Sequence, residues 1–169
     1  MNLEKLKAEL TRDEGRRLTA YRDTSKQLAG GLWTIGIGHL LGGSPRMSTI
    51  TDDECDALYE YDVRVKGFEV VRRVLADDLP AGWEEANDVR MRALVNMAFN
   101  RGEGRMRESS TITPAIRAAL RSDRTAEGKG YDREKWGAVA AAIKASPWAE
   151  QIGERAQRLA EMLEHGVES

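Results

Sequence analysis

Apolar positions change their period twice along the chain, and each change marks a new kind of element. Leu3, Leu6 and Leu10 recur at helical spacing, which predicts a short helix over residues 3–13 with Gly15 placed to cap its C-terminus. Between residues 18 and 41 the period falls to two. Trp33, Ile35 and Ile37 alternate with Thr34, Gly36 and Gly38, a strand whose packed face carries the large residues. Gly30-Gly31 supplies a turn before it and Gly42-Gly43-Ser44-Pro45 ends it, so a hairpin or three-stranded sheet is predicted. From Thr51 onward the helical period returns. Thr51 with Glu54 reads as a capping box opening one long helix through Leu58, Val65, Phe68, Val71 and Leu75, which stops before Pro80. A second run holds Val89, Leu94, Val95, Ala98 and Phe99 and stops at Gly102. Thr113, as N-cap to Pro114, opens a helix to about Arg121, followed by a loop over 122–131. Asp132 caps the next helix, with Trp136, Val139 and Ile143 inward. Ser146-Pro147 opens a last one bearing Trp148, Ile152, Leu159 and Leu163.

These elements sum to an α+β fold. A small N-terminal β-sheet lobe (about 15–60) is joined by a long helix to a mainly helical lobe (1–14 and 61–169), all in one domain. With 41% apolar and 32% charged residues the chain is globular rather than disordered. Lys and Arg number 26 against 28 Asp and Glu, so the basic excess of a phosphate-neutralising nucleic-acid binder is missing. No apolar run reaches the roughly 18 residues of a membrane span, which argues against membrane insertion. One cysteine, Cys55, excludes an internal disulfide and reads as semi-buried packing; with two histidines it makes a structural zinc site improbable. No metal or organic cofactor is implied. The charged N-terminus lacks the apolar stretch of a secretion signal, so the expectation is a cytoplasmic protein.

Three positions suggest chemistry. Glu14 closes the first helix, within Arg12-Asp13-Glu14-Gly15. The negative end of a helix favours the uncharged form of a carboxyl group, the form from which a general acid donates. Asp23 stands nine positions later, before the predicted strand, and two carboxyl groups on facing elements are the minimum equipment for cutting a glycosidic bond. Taken singly, Glu14 also fits a solvated carboxylate and Asp23 a turn residue. Thr34, Gly36 and Gly38 on one strand face fit either the close approach of a bulky ligand beside a positioned hydroxyl, or a bend that requires glycine.

In order, Glu14-Gly15-Arg16-Arg17-Leu18-Thr19-Ala20-Tyr21-Arg22-Asp23 and Gly31-Leu32-Trp33-Thr34-Ile35-Gly36-Ile37-Gly38-His39 resemble the two signature segments of the phage-type lysozymes, the endolysin family. The stretch Ala93–Asn100 resembles that family's central helix, and Arg155 with Arg158 its late basic pair. The resemblance implies a lysozyme-like fold and a muramidase that hydrolyses the β-1,4 bond between N-acetylmuramic acid and N-acetylglucosamine in peptidoglycan. Glu14 is then the acid, with Asp23 and Thr34 orienting and activating water. Inversion is the outcome the family implies, which calls for carboxyl groups roughly 6.5–9.5 Å apart. Ten residues separate Asp23 from Thr34, more than the family pattern has, which lengthens the predicted hairpin and puts the placement of Asp23 in question.

Leu40 and Phe99 match residues lining the substrate groove, or else belong to the core. Arg155 is placed to approach Glu14, or else is a surface arginine. His39 and Asp62 are predicted to form a stabilising ion pair, the alternative being a solvated histidine. The family's scheme further implies a monomer that accumulates in the host cytoplasm and needs a holin to permeabilise the membrane before it reaches the wall in the periplasm. Two other readings stay open at this level: a lytic transglycosylase on the same fold, and a catalytically silent wall-binding protein.

Overall fold

The computed structural model describes residues 1–22, 32–44, 47–125 and 131–168. Asp23, Gly30-Gly31, Pro45 and residues 126–130 of the expected loop lie outside the described residues. The fold is α+β, and the chain forms two compact units: Leu3–Arg64, and Met1–Asn2 with Val65–Ser169.

The first unit holds helix α1 (Leu3–Glu14), strands β1 (Arg17–Arg22), β2 (Trp33–Gly36) and β3 (His39–Gly42), and helix α2 (Asp52–Asp62). The strands form one antiparallel sheet in the order β1-β2-β3, with Tyr21 opposite Thr34 and Thr34 opposite Leu40. Leu6 and Leu10 bury one stripe of α1, as their spacing predicts, and Gly15 follows at φ +77° with its N–H on the Thr11 carbonyl at 2.9 Å. Helix α1 falls in the first unit, together with the sheet. Lys7 pairs with Asp56 of α2 at 2.8 Å, and the Tyr59 hydroxyl of α2 donates to the Leu3 carbonyl at 3.4 Å. Arg16, just past α1, pairs with Asp52 and Asp56, tying the helix exit to the first turns of α2.

Strict alternation fails in β2. Thr34, Ile35, Gly36 and Ile37 are all buried, and the strand ends at Gly36. Gly36 (φ +65°) and Gly38 (φ +70°) sit in left-handed conformations at the β2–β3 turn, so the bend, rather than an open strand face, is what requires glycine. Cys55 is fully rather than partly buried, its sulfur 3.4 Å from where a Cβ on Gly36 would stand, and burial raises its pKa. That is the environment of an inert thiol.

The long helix is not uniform. The Thr51–Glu54 capping box opens α2 as predicted, but a π-helical segment, Val63–Phe68, separates α2 from α3 (Glu69–Leu75). The buried large side chains are accordingly Cys55, Tyr59, Asp62 and Val63, then Val70, Val71, Val74 and Leu75, while Leu58, Val65 and Phe68 are half-buried. The wider turn carries Gly67, where a Cβ would come within 2.7 Å of Val95 Cγ1. Close packing at that point accompanies the change of helical phase.

The second unit adds α4 (Trp83–Ala86), α5 (Asp88–Glu108), α6 (Ile112–Thr125), α7 (Arg133–Lys144), α8 (Pro147–Ile152) and α9 (Glu154–His165). Helix α5 breaks at Gly102 (φ 72°, ψ 166°), where the sequence predicts its stop. Helix α6 starts at Ile112, so Thr113 lies inside its first turn and donates to the Met106 carbonyl at 2.6 Å; Ser109 accepts the Ile112 N–H instead. Asp132 and Ser146 cap α7 and α8 as expected, but the last predicted helix is two, interrupted at Gly153 (φ 54°, ψ −124°). Helices α6, α7 and α9 pack in sequence around Trp136, Val139, Ile143, Leu159 and Leu163. Asp123 accepts from the stacked indoles of Trp83 and Trp136 at 2.9 and 3.1 Å, and from the Asp132 N–H at 3.0 Å. Arg90 closes α9 by donating to the carbonyls of Leu163 and Glu164 at 2.8 and 3.1 Å.

Candidate functional site

Two groups of side chains carry the candidate chemistry, one in each unit. In the sheet-bearing unit the group begins with Glu14, the last residue of α1 and half-buried. A Cβ added to Gly38 would stand 3.3 Å from Glu14 Cγ and 3.4 Å from Oε2, so the bare backbone of the β2–β3 turn lies directly against this carboxyl side chain. A residue other than glycine would displace the acid and strain the left-handed turn together.

Thr34, on the strand leading into that turn, is 4% exposed, and its hydroxyl oxygen has no hydrogen-bond partner among the described residues. An enclosed, unbonded hydroxyl costs about 1–3 kcal/mol. Such orphans are uncommon in folded proteins and call for a reason, a bound water or substrate atom being one. Leu40, the cross-strand partner of Thr34, is 42% exposed, which removes it from the core.

His39, the first residue of β3, places Nδ1 2.9 Å from Oδ2 of Asp62, a carboxylate with no exposed surface on α2. This bond joins the strand after the turn to the helix beneath it, so it holds the Gly36–His39 segment from behind. Arg17, on β1, lies over the Tyr21 ring at 4.3 Å.

The second group is in the helical unit. Arg155 is 7% exposed, and its Nε donates to Asn96 Oδ1 at 2.9 Å; it is a buried arginine of α9, not a surface one. Phe99, on α5, is half-buried rather than enclosed in the core. Next to it, Asn100 accepts the Trp148 indole N–H at 2.9 Å. Sequence reasoning passed over Asn96 and Asn100 as candidates. The signal was a lone amide inside the apolar run Leu94-Val95-Asn96-Met97-Ala98, a polar group that needs a specific buried partner. A concavity of about 400 Å³ bordered by Trp83, Asn87, Asp123 and Tyr131 contains none of these residues. No cluster of three or more metal-ligating side chains occurs among the described residues.

An acid at a helix end, a glycine turn packed on it and an enclosed threonine hydroxyl, carried on a small sheet followed by a helical body, define a lysozyme-like α+β protein. The model of the phage lysozyme family matches residues 11–143, and the chain belongs to that family. The match supports the assignment of the chain to lysozyme-like cell-wall hydrolases of the glycosidase type. Among its relatives, probable T4-type lysozyme 1 of Dictyostelium discoideum is 25% identical over 184 residues, spanning 96% of this chain and 95% of the relative. Probable T4-type lysozyme 2 of the same organism is 24% identical with the same coverage. The pre-baseplate central spike protein Gp5 of Enterobacteria phage T4 is 31% identical over 132 residues, 64% of this chain but 21% of that protein.

Proposed function

We propose that the chain is a muramidase that hydrolyses the β-1,4 bond between N-acetylmuramic acid and N-acetylglucosamine. Glu14 donates a proton to the bridging oxygen as the bond breaks, and the Thr34 hydroxyl, with Asp23, holds and activates the attacking water. The observation that carries this reading is the pairing of Glu14 with the bare Gly38 turn on a strand that also presents an enclosed, unpartnered Thr34 hydroxyl. Family membership supports it, and the role of Asp23 rests on the resemblance of its segment alone. Leu40 and Phe99 are assigned to sugar contact, both being partly open apolar side chains. His39, Asp62 and Arg155 serve as supports. In this reading the protein acts as a monomer, lyses a bacterial host from within and reaches the wall through a holin-permeabilised membrane.

Mass spectrometry of muropeptides released from purified peptidoglycan tests the reaction. Fragments ending in reducing muramic acid are expected; anhydro-muramic ends would make the protein a transglycosylase, and intact sacculi a silent binder. Glu14→Gln is expected to abolish clearing of chloroform-treated Gram-negative cells, and undiminished clearing would remove Glu14 from the role of acid.

A further inference from the structure

One hollow of the helical unit shares no lining residue with either group of candidate side chains. Bordered by Trp83, Ala86, Asn87, Asp123 and Tyr131, it has a volume of about 400 Å³. Small-ligand sites fall in a range of roughly 300–1,000 Å³. Trp83 is buried and stacked on Trp136, with ring centroids 5.8 Å apart, and both indoles donate to Asp123. Tyr131, by contrast, is 42% exposed. The buried guanidinium of Arg90 lies 3.7 Å from the centre of its ring, and the Tyr131 hydroxyl donates to the His165 carbonyl at 3.5 Å. An exposed aromatic ring is therefore held at one face and at its hydroxyl, ordered before any ligand arrives.

Two polar side chains at the border retain bonding capacity. Asn87 gives one N–H to the Trp83 carbonyl at 3.2 Å, and its other N–H has no acceptor among the described residues. A carboxylate has about four lone-pair sites. Asp123 uses three of them, for the two indoles and the Asp132 N–H. A cation entering the hollow meets Arg90 behind Tyr131, and an anion meets Asp123, whose charge attracts Arg90. A neutral ligand with hydrogen-bond donors and one apolar face meets neither obstacle.

We propose that this hollow is a second glycan-binding site, one that takes a neutral N-acetylhexosamine ring away from the catalytic residues. The identity of the glycan rests on the muramidase reading. Tyr131 receives the apolar face of the sugar ring, and Asp123 accepts from a hydroxyl or from the acetamido N–H. The free N–H of Asn87 donates to a ring hydroxyl or to the acetamido carbonyl. Such a site retains the protein on its polymer and takes no part in the bond cleavage.

The test titrates the full chain carrying Glu14→Gln, so that no glycan is cut, with the tetrasaccharide of β-1,4-linked N-acetylglucosamine. The indole N–H resonances of Trp83 and Trp136, both bonded to Asp123, report on the hollow. Both are expected to shift to saturation. Tyr131→Ala is expected to weaken that binding by roughly tenfold, the worth of one stacked aromatic contact. Should that variant not fold, Ala86→Trp fills the hollow from an exposed position of α4 without removing a bond, and is expected to weaken binding likewise. No response of the two indoles, or unaltered binding in a folded Tyr131→Ala or Ala86→Trp, overturns the site. Binding in the hollow with sacculi left intact by the wild-type protein would instead overturn the muramidase reading and leave the site standing.

Discussion

The two units treat enclosed polar groups differently. In the helical unit several are consumed by structure: Asp123 accepts three N–H bonds, Arg90 closes α9, Thr113 donates to Met106, and Ser146 both donates to Ile143 and caps α8. In the sheet-bearing unit the Thr34 hydroxyl has no partner among the described residues, and Gly38, at φ +70°, is pressed on the Glu14 side chain. Satisfied networks rigidify a fold, whereas orphaned groups and strained turns persist where an outside molecule completes them. On the proposed reading the sheet-bearing unit carries the chemistry and the helical unit chiefly supports it.

Substitutions that separate activity from stability sharpen that contrast, and the largest effect is expected at Glu14. Glu14→Gln should lower kcat by roughly 10²- to 10⁴-fold, the usual worth of a general acid, with unfolding free energy within about 0.5 kcal/mol of wild type. Asp123→Ala should do the reverse. It leaves two indole N–H groups in the core without acceptors and should cost about 2–4 kcal/mol in urea unfolding, with kcat unchanged under folded conditions. An equal loss of kcat in that variant would break the division of labour. Thr34→Val keeps the shape of the side chain and removes the hydroxyl. Activity should fall roughly 10- to 100-fold, while stability stays level or rises because no bond within the protein is lost. A clear drop in thermal stability would show that the hydroxyl is structural after all.

Smaller effects belong to the helical unit. Gly166 follows α9 at φ +67°, and a Cβ there would stand 2.5 Å from Arg90 Nη1. Gly166→Ala should cost about 1–2 kcal/mol in denaturant unfolding, through left-handed strain and displacement of Arg90. Asp132 gives the weakest signal, a pH dependence. The Ser122 hydroxyl, followed by the Lys135 N–H, holds its carboxyl below the usual value of 3.8. A carboxylate depressed in the folded state contributes stability above the unfolded value, and that contribution is lost as pH falls through the folded value. Thermal melts from pH 5 downward should therefore lose stability below about pH 3.8, and less steeply in Asp132→Asn, which keeps a capping oxygen but does not titrate.

Elements whose cause lies within a few residues were legible from the chain alone. The Thr51–Glu54 box, the Asp132 and Ser146 caps, the Gly15 stop and the break at Gly102 each rest on a local hydrogen bond or on a backbone angle that glycine tolerates. The order Glu14, Thr34, Gly38, His39 stood out only through the resemblance of its two segments to the phage-type lysozymes; residue by residue each also fitted an ordinary structural part. Other features depended on neighbours far away in sequence. The π-helical segment at Val63–Phe68 comes with Val95 packing on Gly67, and burial of both faces of β2 comes with α2 lying beneath it. The assignment of α1 to the sheet-bearing unit goes with Lys7–Asp56 and Tyr59–Leu3, and Arg155 met Asn96 across 59 residues. Hydrophobic period and capping chemistry report what a segment can form by itself. Tertiary packing alone decides which face is enclosed, and which polar group is left waiting for a partner, because burial is a property of the assembled neighbours.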